Sequence, residues 1–151
     1  MHRRAPRERK WTRRLGPALL LMSGIGAAAE PRQNDPLRAT LVCRREVSPG
    51  RVQCELEVAV KSGRLAWADA VVVSVPEFAK PLRSRVGPEQ ALRRSDRATT
   101  LPLALAATRS GRGELRVEAR AVVCTASSDD ACTPFTRIAA AEVEVGAREQ
   151  R

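Results

Sequence analysis

Strict alternation of apolar and polar residues is the feature that most constrains the fold of this chain. In residues 52–60 every second position is apolar, and these positions are Val52, Cys54, Leu56, Val58 and Val60. A period of two is typical of a β-strand with one buried face. The same alternation recurs in residues 37–47, 65–75, 99–107 and 114–124. The chain is therefore predicted to be all-β.

Turn residues separate these segments and set the expected architecture. Residues 48–51 (SPGR), 61–64 (KSGR) and 109–113 (RSGRG) are turns. The irregular stretch 76–97 is predicted to hold one short strand at 82–86 and one helical turn at 89–94, and the last strand covers 134–145. Pro102 cannot donate to a strand ladder, so 99–107 is expected at a sheet edge. About seven strands of this kind predict a single immunoglobulin-like antiparallel β-sandwich.

The first 29 residues are predicted to be a signal peptide rather than part of the sandwich. Residues 1–14 carry seven basic residues, and the uncharged run 15–29 ends in Ala27-Ala28-Ala29. A retained membrane anchor is the alternative, but this run has 15 residues, whereas a spanning helix needs about 20. We therefore expect an exported protein, periplasmic or secreted, that contacts a membrane only during export. A polar leader (30–36), the sandwich domain (37–146) and a polar tail (147–151) follow.

The charge of the chain argues against nucleic-acid binding. The formal charge is +10, but seven of the 27 basic residues and one of the 17 acidic residues lie in 1–29, which leaves +4 for the remainder. Binding to nucleic acids also requires stacking aromatic residues. After residue 29 the chain has one Trp, two Phe and no Tyr. We expect no nucleic-acid partner.

Four cysteines in an exported domain predict two disulfides, with three possible connectivities. The local arrangement joins Cys43 to Cys54 and Cys124 to Cys132. An immunoglobulin-style bridge would instead join Cys54 to Cys124, and Trp67, one strand after Cys54, favours it. The absence of any Tyr argues against it, because this fold usually places a Tyr beside the second cysteine.

Strand parity favours the local arrangement without deciding the matter. Cys124 shares its parity with polar residues and is predicted to point outward, so a bond to Cys54 would need a bulge. The turn at 48–51, however, sets Cys43 opposite Leu56 instead of Cys54. The Cys43–Cys54 bridge would therefore also need a bulge. If local pairing holds, Cys43–Cys54 is a staple on the apolar face and Cys124–Cys132 closes an exposed polar loop.

Conventional active sites are not expected in this chain. The only histidine is His2, inside the predicted signal peptide, so His-based catalysis and His metal ligands are excluded. The cysteine spacings C-x10-C and C-x7-C differ from the short pairs of zinc sites. We predict no enzyme activity, no metal and no cofactor. The expected function is that of a disulfide-stabilised binding or structural module with an unknown protein partner, and the oligomeric state stays open.

One hairpin carries a resemblance to a known family. Residues 124–134 read CTASSDDACTP, and the strand that follows ends with EVEV at 142–145. This hairpin resembles the active hairpin of the N-terminal periplasmic domain of the transmembrane thiol:disulfide interchange reductase. The resemblance covers about 25 of the 151 residues. It implies an immunoglobulin-like fold, and thiol–disulfide exchange at Cys124 and Cys132 as an alternative function.

Overall fold

Nine strands and one short 3-10 turn form the part of the protein that the computed structural model describes, residues 36–125 and 131–146. The strands are β1 (Leu37–Cys43), β2 (Gly50–Val60), β3 (Arg64–Ser74), β4 (Ala79–Pro81), β5 (Arg85–Val86), β6 (Arg93–Arg94), β7 (Ala98–Ala107), β8 (Gly111–Cys124) and β9 (Cys132–Val145). The 3-10 turn covers Pro88–Gln90. The predicted signal peptide, nearly all of the leader and the polar tail lie outside the described residues, as does the loop 126–130.

The strands form two antiparallel sheets, which confirms the all-β prediction. Sheet A has the order β1-β2-β7-β4, and β6 pairs with β7 beyond this path. Sheet B has the order β5-β3-β8-β9. In the described ranges, no helix is both long and apolar enough to cross a membrane.

The core lies between the inner faces of the two sheets and is made chiefly of Leu, Val and Ala. Its largest fully buried apolar side chains are Leu37, Leu56, Leu101, Leu105 and Leu115. Each occupies the apolar position of an alternating strand, so burial of one face accounts for the strand pattern. Among the described aromatic residues, only Phe78 is buried in the core, at 6% exposed. A core of small side chains leaves the disulfides a large share of the stabilisation.

The register of β1 on β2 differs from the predicted one. Cys43 lies directly opposite Cys54 rather than opposite Leu56. The predicted four-residue turn is wrong because the chain still pairs with β2 at Arg44 and only then turns toward β9 of the other sheet. There Glu46 forms an isolated parallel bridge with Val145. The Glu46 amide donates to the Glu144 carbonyl at 3.1 Å, and the Gly146 amide donates to the Glu46 carbonyl at 2.9 Å.

A bulge in β3 overturns the predicted faces of that strand. Leu65 pairs with Val123 but Trp67 pairs with Val122, so Ala66 is an extra residue. The residues after it exchange faces, and Ala68 and Ala70 enter the core in place of Trp67, Val71 and Val73. Trp67 is half-buried on the outer face of sheet B, whereas the alternation in residues 65–75 places it on the apolar face.

Residues 76–97 account for the difference between the nine strands observed and the seven or so predicted. The single strand at 82–86 and the helical turn at 89–94 are replaced by three strands of two or three residues and one 3-10 turn. The prolines and glycine of this stretch break it into pieces too short to show a period. The pieces pair with the sheets separately: β4 and β6 lie on β7, and β5 lies on β3.

Strand β7 is therefore not a plain edge strand, contrary to the prediction from Pro102. It pairs with β2 on one side, and on the other side with β6 at residues 99–100 and with β4 at residues 105–107. Between these two short strands, Pro102 faces a gap. A proline fits this place because no neighbouring strand would accept an N–H there.

Candidate functional site

Both disulfides join cysteines that lie directly opposite each other within one hairpin. The structure contains Cys43–Cys54 and Cys124–Cys132, each with a Cα–Cα distance of 4.0 Å, which is the local connectivity. The next pair outward is hydrogen-bonded in both hairpins: the Arg44 amide donates to the Gln53 carbonyl at 2.8 Å, and the Thr125 amide to the Ala131 carbonyl at 3.1 Å. Each bridge thus occupies a non-hydrogen-bonded pair, where opposing side chains are closest. No bulge is needed.

The bridge Cys124–Cys132 is less exposed than the sequence predicts. Its two cysteines lie on the outer-face parity of sheet B, but Cys124 is only 1% exposed, whereas Cys132 is exposed. The turn between β2 and β3 lies close against the Cys124 backbone. Gly63 in this turn has φ +79°, and a Cβ placed there would lie 2.5 Å from the Cys124 carbonyl oxygen. Only glycine lets the turn come this close.

The bridge Cys43–Cys54 lies on the inner face of sheet A. Cys54 is 2% exposed, and Cys43 is partly buried and packed against the core. Neither bridge therefore has both sulfurs in open solvent. The two bridges differ in their less buried cysteine. Cys43 packs against the core, whereas Cys132 is exposed.

A shallow cavity of about 370 Å³ adjoins the Cys124–Cys132 bridge. It is lined by Cys124 and by both ends of the partly described loop, Thr125 and Ala131. Phe135 also lines it and packs partly against the core. The cavity offers an approach to the bridge beside an aromatic side chain. The loop residues Ser127, Ser128, Asp129 and Asp130 lie outside the described part of the chain.

A buried carboxylate on sheet B was not identified as a site from the sequence. Asp69, in the middle of β3, is 0% exposed. Arg85 Nε donates to Asp69 Oδ2 at 2.6 Å, and Arg120 Nε donates to Asp69 Oδ1 at 2.8 Å. Arg120 is the direct cross-strand neighbour of Asp69, and Arg85 comes from β5 on the other side. A single acidic residue inside the apolar run 65–73 is the signal for a buried charge that needs partners.

Electrostatics keep this carboxylate ionised. Burial by itself would raise the pKa of Asp69, but the hydrogen bonds from Arg120 and Arg85, together with their positive charges, outweigh it and lower the pKa. The same contact with Asp69 raises the pKa of Arg120. Within the described residues the carboxylate accepts hydrogen bonds from guanidinium groups, so the arrangement serves as an ion pair that links β5, β3 and β8 of sheet B rather than as a proton donor.

A cavity of about 550 Å³ lies on sheet A beside the gap at Pro102. Outer-face residues of β2 and β7 line one side, and residues of the segment 82–92 line the other. Residues from the two sides include Arg51, Gln53, Glu55, Pro102, Ala104, Leu82, Arg83, Gln90 and Leu92. We call this cavity the β7 groove. Sequence reasoning missed it because the segment 82–92 shows no periodic pattern.

Metal ligands are not clustered in the described part of the chain. Across residues 36–125 and 131–146, no group of three or more His, Cys, Asp or Glu side chains is placed to hold a metal ion. All four cysteines are consumed in disulfides.

Comparisons with known proteins identify no family. No family model matches the chain, and no curated protein matches it. Among solved structures, the chain is similar to the crystal structure of BslA, described as a bacterial hydrophobin, over 76% of this chain and 98% of that one. The sequence identity is 10% and the TM-score is 0.38, and a similarity at this level carries no argument about function.

Proposed function

We propose that this protein is an exported β-sandwich that acts as a binding or structural module, with both disulfides serving the fold. The observation that carries the proposal is the burial of one cysteine in each bridge: Cys54 is 2% and Cys124 is 1% exposed. Exchange requires a thiolate to reach a disulfide sulfur and a thiol to leave as thiolate. A buried sulfur is poorly placed for either step. The binding partner of this module would be another exported protein.

Export is supported by the cysteine chemistry of the chain. Two intact disulfides are typical of oxidising compartments and rare in the cytosol. The predicted signal peptide at 1–29 supports the same location.

An immunoglobulin-like connectivity is part of the proposal, and the strand order supports it. In that fold one sheet has the strand order A-B-E-D and the other C-F-G. The orders β1-β2-β7-β4 and β3-β8-β9 follow the same sequence if β1 is strand A. The strand-B cysteine would then be Cys54 and the strand-F cysteine Cys124, yet each bonds within its own hairpin because Cys124 lies on the outer-face parity of β8.

The reduction potentials of the two bridges test the structural role. Disulfides that only hold a fold have potentials below about −300 mV. We expect both bridges below this value when the protein is equilibrated with dithiothreitol or glutathione buffers, with each cysteine identified by alkylation and mass spectrometry. A potential near about −200 mV at Cys124–Cys132, in the range of exchange catalysts, would overturn the proposal.

A second candidate function is thiol–disulfide exchange at Cys124 and Cys132. The hairpin resemblance supports it, together with the exposure of Cys132 and the cavity of about 370 Å³ beside the bridge. In this reaction an incoming thiolate would form a bond with Cys132 Sγ. The bond between Cys132 and Cys124 would break, and its electron pair would leave on Cys124 Sγ as a thiolate.

Trapping of mixed disulfides separates the two candidates. If exchange occurs, Cys124→Ala leaves the exposed Cys132 to form stable mixed disulfides with exported proteins, because the resolving thiol is gone. The matched variant Cys132→Ala leaves only the buried Cys124 and should trap far less. Equal, low trapping by both variants would rule out exchange and favour the structural role.

A further inference from the structure

The β7 groove is a cavity with two defined walls on the outer face of sheet A. Its volume, about 550 Å³, lies within the range of about 300–1,000 Å³ that is usual for small-molecule sites. On its sheet side, β7 contributes the small residues Pro102 and Ala104, and β2 contributes Arg51, Gln53 and Glu55. The segment 82–92 forms the opposite wall.

Backbone hydrogen bonds fix both ends of this wall. The Leu82 amide donates to the Ala104 carbonyl at 2.9 Å, and the Leu92 amide donates to the Thr100 carbonyl at 2.8 Å. The segment between them leaves β7 and returns to it, while β5 attaches its middle to β3. Pro102 lies between the two anchoring carbonyls and has no N–H to leave unsatisfied. The opening therefore leaves no backbone N–H unpaired at this position.

Two leucines leave apolar surface exposed along the groove. Leu82 is 52% exposed and Leu92 is 55% exposed, and both line the cavity. Because these side chains stay in water, the protein does not gain the free energy that burial of their apolar surface would provide. With Pro102 and Ala104 they give the groove an aliphatic lining that a hydrocarbon chain would cover.

The charged groups of the groove leave a basic excess at one end. Among the described residues that line the groove, the acidic one is Glu55, which forms an ion pair with Arg93 at 3.8 Å. Arg83 also lines it, and hydrogen bonds from the Glu89 backbone and Gln90, together with the positive charge of Arg83, lower the pKa of the neighbouring Glu89. Arg51 lines the groove and makes no ion pair with any described acidic residue, so it carries the basic excess. Strand register places Arg51 and Lys80 on either side of Ala106, so cations flank one end of the lining.

We propose that the β7 groove binds a small anionic amphiphile, an aliphatic carboxylate. Its hydrocarbon chain would lie against Leu82, Leu92 and Ala104, and its carboxylate would pair with the guanidinium groups of Arg51 and Arg83, which offer bidentate donors. This inference rests on the proposal that the protein is a binding module, and it names the class of ligand. It does not depend on whether either disulfide is redox-active.

Calorimetric titration of the oxidised protein tests the ligand class. The probes are dodecanoate, dodecanol and dodecyltrimethylammonium, each below its aggregation concentration. We expect dodecanoate to bind with a stoichiometry of one, dodecanol to bind at least about ten-fold more weakly, and the cation not to bind. A charged hydrogen bond contributes about 1.5–3 kcal/mol, and 1.4 kcal/mol corresponds to a factor of ten. Equal affinity for all three, or no binding of dodecanoate, would overturn the inference.

Matched variants locate the site. Arg51→Glu combined with Arg83→Glu should weaken dodecanoate binding by at least about ten-fold, whereas Arg38→Glu with Arg44→Glu makes the same charge change outside the groove and should leave binding unchanged. Likewise, Leu82→Asp should abolish binding. Its control is Val47→Asp, which should leave binding unchanged because Val47, 78% exposed, lies outside the groove. Circular dichroism and thermal unfolding verify that each variant is folded.

Two results would contradict the assignment of the binding site to the β7 groove. One is unchanged dodecanoate affinity in the groove variants, and the other is an equal loss of affinity in the control variants. Failure here would leave the reduction potentials of the bridges unchanged, so it is distinguishable from failure of the proposed structural role of the disulfides.

Discussion

The two disulfides share one backbone geometry but lie in different surroundings. Each joins directly opposed cysteines of a hairpin at a Cα–Cα distance of 4.0 Å. Cys43–Cys54 belongs to the inner face of sheet A and contacts the core, whereas Cys124–Cys132 lies on the outer-face parity of sheet B with Cys132 exposed. The covalent link should contribute about equally in both, because the loops are of similar length. What differs is the packing that each bridge supports.

Removing the inner bridge should have the largest effect. We expect Cys43→Ala with Cys54→Ala to lower the free energy of unfolding by about 4 kcal/mol, because loss of a native disulfide costs about 2–5 kcal/mol and truncation of Cys54 also opens a core cavity. Equilibrium unfolding in urea measures this. If this variant lost less unfolding free energy than the variant without the outer bridge, the inner bridge would not be the more stabilising of the two.

Removing the outer bridge should cost less. For Cys124→Ala with Cys132→Ala we expect about 2–3 kcal/mol, close to the contribution of loop closure alone, since the loop separation of 8 is similar to the 11 of the other bridge. The same urea titration gives the value. A loss equal to that of the inner pair would show that the packing of Cys54 in the core adds nothing beyond what the burial of Cys124 contributes.

The close approach of the turn at Gly63 to the Cys124 backbone can be tested by a single substitution. Gly63→Ala should lower the free energy of unfolding by about 2 kcal/mol, because a left-handed backbone costs about 1–2 kcal/mol and the new Cβ would lie 2.5 Å from the Cys124 carbonyl oxygen. Gly50→Ala is the control, since it also has a positive φ but no atom within 4 Å of its Cβ. Equal losses would mean that the turn does not press on Cys124.

The ion pair on the same face should contribute the least. We expect Asp69→Asn to cost about 1 kcal/mol at neutral pH, because Arg85 and Arg120 are partly exposed and can turn to solvent. The exposed residue Asp96 provides the control variant, Asp96→Asn. Thermal unfolding between pH 3 and pH 7 measures both.

The pH dependence of this effect has a definite sign. The folded-state pKa of Asp69 is lowered, so its contribution is complete above the unfolded-state value of about 3.9 and is lost as the pH falls below it. The stability difference between the wild-type protein and Asp69→Asn should therefore narrow below about pH 4. A constant difference across this range would show that the carboxylate charge is not responsible.

Alternation made strands β2 and β8 predictable but failed for β3. In β2 and β8 each apolar position of the pattern is buried. In β3 the bulge at Ala66 exchanges the two faces, and no Gly or Pro in the strand signals it. A bulge is determined by the pairing with β8, which is not visible in β3 alone.

Long-range partners explain what the sequence could not predict about the sites. Asp69 could be recognised as a buried charge, but its partner Arg120 is 51 positions away and is chosen by strand register. The direct opposition of Cys43 and Cys54 likewise depends on the departure of the chain after Arg44 toward β9. The β7 groove exists only because two short strands of the segment 79–94 pair with β7 at separate places.

The position of the disulfides also has a mechanical consequence. A stretching force applied between Pro36 and Gly146 would act on β1 and β9, the strands next to these residues. The bridges close loops with sequence separations of 11 and 8, which such a force cannot extend. At about 3.5 Å per residue, the fully stretched oxidised protein would be roughly 60 Å shorter than the reduced one. The oxidation state of the four cysteines therefore determines how far the domain can lengthen under load.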